Sequence, residues 1–262
     1  MQKLRLALIG AGYLNEIVAN AVKEGLLPEY ELVAVFERDL ERREAFVAKF
    51  GGKACDSIAE LLAERPDYTA EAASVNAVRE HAQTILEGGS HLVLLSIGAL
   101  ADADFYDKIK AVGKANNRKI YLPCGAVGGF DVLRTASLMD EAKVSITALT
   151  SPRAISHTSL TFDGILDVTE PTEVFRGTTK EAIERLPARV NVAIATALAS
   201  VGPENTEMDI HILPGFQGDE YHVRLDSPEV KTEMKLYSRT AAVAGWSVVA
   251  ALQNIVSPIE IF

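Results

Sequence analysis

Leu4-Arg5-Leu6-Ala7-Leu8-Ile9-Gly10-Ala11-Gly12-Tyr13-Leu14-Asn15 decides how this chain folds. Leu4 to Ile9 is a short apolar run rich in strand formers, and it stops at Gly10. After the glycines, Leu14, Ile17, Val18, Ala21 and Val22 recur at helical spacing. Two glycines between a strand and a helix permit a tight turn and let the backbone approach a pyrophosphate closely. The helix start adds N–H donors and a favourable dipole. Gly10, Gly12, Tyr13 and Leu14 are thus expected to hold the phosphates of a dinucleotide. The full fingerprint ends on a third small residue, and here Asn15 replaces it.

Working outward, Glu31 to Phe36 reads as a second strand that ends at Glu37. A carboxylate there accepts hydrogen bonds from ribose hydroxyls and repels a 2′-phosphate, favouring NAD; Arg38, next in line, suits that phosphate and keeps NADP open. Helices are expected over 40–50, 57–64, 76–87 and 105–116, and strands over 68–73, 91–96 and 119–122. Strand and helix alternate with short connections, the pattern of a doubly wound parallel α/β sheet of Rossmann type. This dinucleotide-binding domain is expected to span residues 1–124.

The pattern changes after Pro123. Gly125-Ala126-Val127-Gly128-Gly129 places three glycines in five residues and leads into a helix over 130–141. Such a loop exposes backbone N–H groups to a flat nicotinamide ring or a substrate carboxylate, or serves as a hinge. Strands are expected over 143–149, 158–163, 207–213 and 220–226, with helices over 179–185 and 190–200. Pro214-Gly215 and Gly218 mark a hairpin between 207–213 and 220–226. Residues 125–230 thus read as an α+β substrate domain, and 231–255 as an apolar helix whose segment, 231–262, packs back on the first domain.

The 262 residues suffice for two modest domains, and 48% hydrophobic with 24% charged content is ordinary for a globular enzyme. A formal net charge of −10 argues against nucleic acid or anionic membrane as partner. No run approaches the ~18 apolar residues of a membrane span. Nor does the N-terminus read as a signal peptide, and a cytoplasmic location is expected. Cys55 and Cys124 form no CxxC pair, so neither a disulfide framework nor a metal site is expected. Cys124 beside the glycine loop reads first as a small buried hydrophobe rather than a nucleophile.

Of five histidines, His81 and His91 fall within the Rossmann pattern, His157 in a polar loop, and His211 in an alternating strand. In Glu220-Tyr221-His222-Val223-Arg224-Leu225, Glu220, His222 and Arg224 share the face away from the core. An imidazole there suits proton transfer during amine or alcohol oxidation, although a surface histidine is the commoner case.

The chain resembles the L-aspartate dehydrogenase family. The resemblance rests on Gly10-Ala11-Gly12, on Glu71-Ala72-Ala73-Ser74 with Ala77-Val78, and on Leu95-Ser96-Ile97-Gly98-Ala99-Leu100-Ala101-Asp102. The loop from Pro123 to Gly129 with Phe130-Asp131-Val132-Leu133, and Val190-Asn191-Val192-Ala193, extend it over most of the chain. It implies NAD(P)-dependent oxidative deamination of L-aspartate to oxaloacetate through iminoaspartate, an imine that in some organisms feeds NAD biosynthesis, and a homodimer. It also implies His222 as the catalytic residue, and Ala73, Ser96, Gly125, Ala126 and Asn191 near the cofactor. Arg153, Arg189 or Arg224 would hold substrate carboxylates. This sequence departs from the family pattern at Asn15, at Cys124 for serine, at Ser151-Pro152-Arg153, and at Glu220 where the family has asparagine. These departures leave open another amino acid, an imine or a semialdehyde as substrate, or dinucleotide binding without turnover.

Overall fold

The structure, a computed structural model, describes residues 2–186 and 190–261. The chain divides into two compact units, Met1–Gly125 with Ala242–Ile261, and Ala126–Ala241. The first unit alternates β1 (Leu4–Ile9), α1 (Tyr13–Lys23), β2 (Tyr30–Phe36), α2 (Leu40–Phe50), β3 (Lys53–Cys55), α3 (Ile58–Ala63), β4 (Tyr68–Glu71), α4 (Val75–Glu87), β5 (His91–Leu94), α5 (Ala103–Ala115) and β6 (Ile120–Tyr121). Its six strands lie in the order β3-β2-β1-β4-β5-β6, each neighbouring pair parallel. That order defines the Rossmann fold, and the chain reverses its winding between β1 and β4. Leu6, Ala7 and Leu8 are fully buried because helices cover both faces of a parallel sheet. Asp39, Ser57, Ser74 and Asp102 cap α2, α3, α4 and α5, each accepting from a backbone N–H three residues on.

The second unit contains α6 (Phe130–Met139), β7 (Lys143–Thr150), α7 (Pro152–Ile155), β8 (Thr172–Thr178), α8 (Thr179–Arg185), α9 (Asn191–Leu198), β9 (Thr206–Ile212), β10 (Asp219–Asp226) and β11 (Lys231–Ser238). These strands form a mixed sheet ordered β11-β10-β7-β9-β8, in which β7 and β9 are parallel and the other pairs antiparallel. Val144, Ile146, Ala148 and Thr150 of β7 are buried on one face, while Ser145, Thr147 and Leu149 are half-buried on the other. The final helix, α10 (Ala242–Val256), belongs to the first unit. Among the described residues, no helix is long and apolar enough to cross a membrane.

Three expectations for the second half are corrected. Residues 231–238 are a strand of the second unit rather than the start of a helix. Thr232, Met234 and Leu236 turn inward while Lys231, Glu233, Lys235 and Tyr237 are exposed, the period of two that a strand requires. Residues 158–163 are turns, not a strand, because Thr158 Oγ1 bonds the Ile155 carbonyl and accepts from the Leu160 N–H. The strand falls instead at β8. Finally, β9 and β10 form no hairpin: each pairs with β7, from opposite sides.

Val248, Val249 and Leu252 of α10 join Leu6, Leu8, Val18 and Val35 in one buried cluster. The Tyr30 hydroxyl donates to the Leu252 carbonyl at 2.9 Å. The α1–α10 contact is close at Gly245, where an added Cβ would lie 2.8 Å from Ile17 Cδ1 and 3.0 Å from the Leu14 carbonyl oxygen. Gly245→Leu is therefore expected to cost about 1–3 kcal/mol by overpacking, read as a lower thermal midpoint; an unchanged midpoint would show that α1 and α10 do not meet this tightly.

Candidate active site

At Gly10, φ is 97°, a conformation that favours glycine, and a Cβ would lie 2.9 Å from the Ala72 carbonyl oxygen and 3.1 Å from Ala73 Cβ. The turn after β1 thus presses against the end of β4. Gly12, the residue before α1, has no capping side chain, unlike the residues that start α2 to α5. A Cβ built on Gly12 would meet only Arg42 Nη2, at 3.7 Å, so the space over this backbone is open to a ligand. Tyr13 is exposed at the start of α1 and Leu14 is half-buried beside it. Asn15 is buried, and its Nδ2 donates to the Ile9 and Gly10 carbonyls at 2.8 Å each. It therefore fills the place of the third glycine by tying the helix to the end of β1. Its Oδ1 is buried without a partner beside the turn. Open room over Gly12 and an uncapped helix start both fit a bound dinucleotide.

Glu37 stands at the end of β2, where its Oε2 accepts from the Ala11 N–H at 3.0 Å and its Oε1 from the Asp39 N–H at 3.3 Å. Partial burial opposes its ionisation. Backbone N–H groups of Ala11, Asp39 and Arg38, with the Arg42 charge, outweigh that and hold its carboxyl below the usual range. Arg38 itself is exposed.

A second carboxylate, Glu71 at the end of β4, organises two further loops. It accepts from the Ala73 and Ser74 N–H groups at 2.7 and 2.9 Å, and from the Ser96 N–H and hydroxyl at 3.0 and 2.9 Å. Burial pushes Glu71 up, against the pull of these donors. Both donors of Ser96 are thus committed to Glu71. Gly125 N–H donates to Ser247 Oγ at 3.1 Å, so it too is engaged rather than free. Cys124 is exposed, not the small buried hydrophobe expected of it, because it lies in the loop after β6 rather than inside the sheet. Partial desolvation still pushes its thiol up, which disfavours the thiolate.

In the second unit, β10 presents Glu220 and His222 on the polar face of the sheet. His222 Nε2 lies 2.5 Å from Glu220 Oε1, and the side chains are 19% and 27% exposed. Across β7 a second pair mirrors it: His211 Nε2 lies 3.0 Å from Asp209 Oδ2, and Thr147 Oγ1 donates to Asp209 Oδ1 at 3.1 Å. Asn191 is the first residue of α9. Arg224 is exposed and bonds Glu233, Arg153 is exposed on α7, and Arg189 lies outside the described residues.

Two family models match. Residues 8–123 match one described as "Homoserine dehydrogenase, NAD binding domain", and residues 131–255 one described as "Aspartate dehydrogenase, C-terminal". An L-aspartate dehydrogenase of Methanocella arvoryzae is 31% identical over 98% of both chains. The chain belongs to the L-aspartate dehydrogenase family. Another member, from Methanococcus maripaludis, is 29% identical over 98% of this chain and 99% of its own. The crystal structure of Thermotoga maritima aspartate dehydrogenase shares the fold, with a TM-score of 0.80 at 24% identity over all of both chains. The first unit is accordingly an NAD(P)-binding domain and the protein a dehydrogenase.

Against that family frame, the sequence motifs bring Gly10, Gly12, Glu37, Ala73 and Ser96 to the strand ends of one sheet, and His222 to another. Two organising groups escape a motif reading. Glu71 sits inside the Glu71-Ala72-Ala73-Ser74 block as an acid at the end of a buried strand, a signal in itself. Asp209 is visible only once β7 and β9 are paired.

Because Glu37 ionises more readily folded than unfolded, its share of stability is present above the ordinary glutamate value of 4.5 and is lost as pH falls through its lowered one. Glu37→Gln should therefore lose less stability than wild type on acidification below 4.5, measured by urea denaturation across pH; parallel profiles would mean Glu37 is not the group responsible.

Proposed function

We propose that this enzyme oxidises L-aspartate with NAD(P) to iminoaspartate, which water converts to oxaloacetate and ammonia. The observation that carries this reading is the likeness to L-aspartate dehydrogenases over nearly the whole chain. The pyrophosphate is read onto the Gly10–Gly12 turn, with Tyr13 and Leu14 at the head of α1, and the adenosine ribose onto Glu37, whose fixed carboxylate favours NAD over NADP. Arg38 lies where a 2′-phosphate would otherwise be met. Ala73 and Ser96, held by Glu71, shape the loops beside that turn. Gly125, Ala126 and Asn191 complete the cofactor residues of this reading.

The nicotinamide supplies a hydride acceptor. His222 is the general base, taking the proton from the substrate amine and then from the water that attacks the imine. Of Arg153, Arg189 and Arg224, read as holding the substrate carboxylates, Arg153 and Arg224 lie among the described residues. We also take the enzyme to be a homodimer, as the resemblance implies, and cytoplasmic, as the sequence pattern suggests.

One observation favours a second reading. The Glu220 carboxylate beside His222 adds negative charge to the face that a dicarboxylate would meet, which suits an amino acid without a second carboxylate. Reduction of NAD and NADP at alkaline pH with L-aspartate, D-aspartate and neutral amino acids separates the two. Turnover confined to L-aspartate supports the first reading, and turnover confined to neutral amino acids replaces it with the second. In either case His222→Ala should lower kcat by about 10²–10⁴ with NADH affinity unchanged by calorimetry; surviving turnover would remove His222 as the base.

A further inference from the structure

The role proposed for His222 leaves open which ring nitrogen carries the basic lone pair. A neutral imidazole has one N–H and one lone pair, and the partner of the N–H decides which nitrogen is which. An ionised carboxylate can only accept. With Glu220 Oε1 at 2.5 Å from Nε2, the proton of the neutral ring sits on Nε2 and the lone pair on Nδ1.

The neighbouring carboxylates are engaged elsewhere. Glu233 on β11 takes Arg224 at 3.3 Å and lies 3.7 Å from Lys235 Nζ; it feels the charge of His222, but none of its described hydrogen bonds goes to that ring. Asp209 on β9 takes Thr147 and His211. Lys235 and Thr147 are the register partners of His222 on either side, and neither offers a carboxylate. Glu220 and His222 stand two residues apart on one strand, so the backbone itself sets their separation, and their partial burial limits competition from water.

We propose that Glu220 is the positioning residue of His222, holding Nε2–H so that Nδ1 is the atom that takes the substrate's proton. This rests on the reading of His222 as base. The substrate N–H proton would pass to Nδ1 as the C=N bond forms, with a bound nicotinamide supplying the acceptor for the Cα hydride. Glu220 keeps its bond to Nε2–H and faces the imidazolium that results. The residue thus does for this histidine what a carboxylate does for the base of a hydrolytic triad.

The test combines nitrogen-15 NMR of the full-length protein at alkaline pH with steady-state kinetics. Comparison with His222→Ala assigns the His222 signals. Wild type is expected to show a single Nε2–H tautomer, and Glu220→Ala a mixture of both. In that variant kcat should fall at least about 10-fold, the lower end of what loss of a histidine-orienting partner costs at metal sites, with KM and NADH affinity unchanged. Glu220→Gln, whose side-chain oxygen still accepts from Nε2–H, should restore the tautomer and part of kcat. If His222→Ala abolishes turnover while Glu220→Ala changes neither tautomer nor kcat, this proposal alone falls. A tautomer change with kcat intact also overturns it. Turnover that survives in His222→Ala sinks the base reading itself, and this inference with it.

Discussion

The contact between Gly10 and the end of β4 is the constraint on which the first unit depends. A Cβ at Gly10 would collide with the Ala72 carbonyl, so only glycine lets β1 turn into α1 beside β4. The place is the point where the parallel sheet reverses its winding, and in such sheets that point opens a crevice at the strand ends. Gly12 keeps the crevice floor bare, and Asn15 anchors the helix above it to the Ile9 and Gly10 carbonyls. Room for a dinucleotide therefore follows from backbone packing before any side chain recognises it.

Carboxylates then fix the loops around that floor, in two electrostatic regimes. Glu37 is partly open to solvent, and its backbone donors with Arg42 win over burial, so it stays readily ionised. Glu71 is buried so deeply that four donors do not offset the loss of water. The first suits a group meant to accept from a sugar hydroxyl. The second suits a structural knot tying the β4–α4 loop to the segment after β5, because a buried acceptor with every donor satisfied is costly to rearrange.

The second unit solves a different problem. Its mixed sheet buries one face and leaves the other polar, and β7 at its centre carries Thr147 between two histidine–carboxylate pairs, Glu220–His222 on β10 and Asp209–His211 on β9. The pairs differ in their supports. Asp209 is also held by Thr147, whereas Glu220 is bonded by His222 alone among the hydrogen bonds described for its carboxylate. Two similar pairs thus have unlike surroundings on one sheet face.

The sequence by itself determined the Rossmann half, because its signals are local. Apolar runs, helical spacing and the glycine turn each act within about a dozen residues, and Asp39, Ser57, Ser74 and Asp102 start their helices through bonds three residues long. The alternation around His222 likewise told which face it occupies. Tertiary structure decided the rest of the second unit. Strand β11 reads as helix until β10 is there to pair with it, and β9 and β10 look like a hairpin until β7 comes between them. Strand partners are chosen by burial and by hydrogen bonds between residues distant in the chain, and no local pattern encodes them. For the same reason, the use of Glu71 to bind Ser96 and of Asp209 to join Thr147 to His211 emerged only when the sheets had formed.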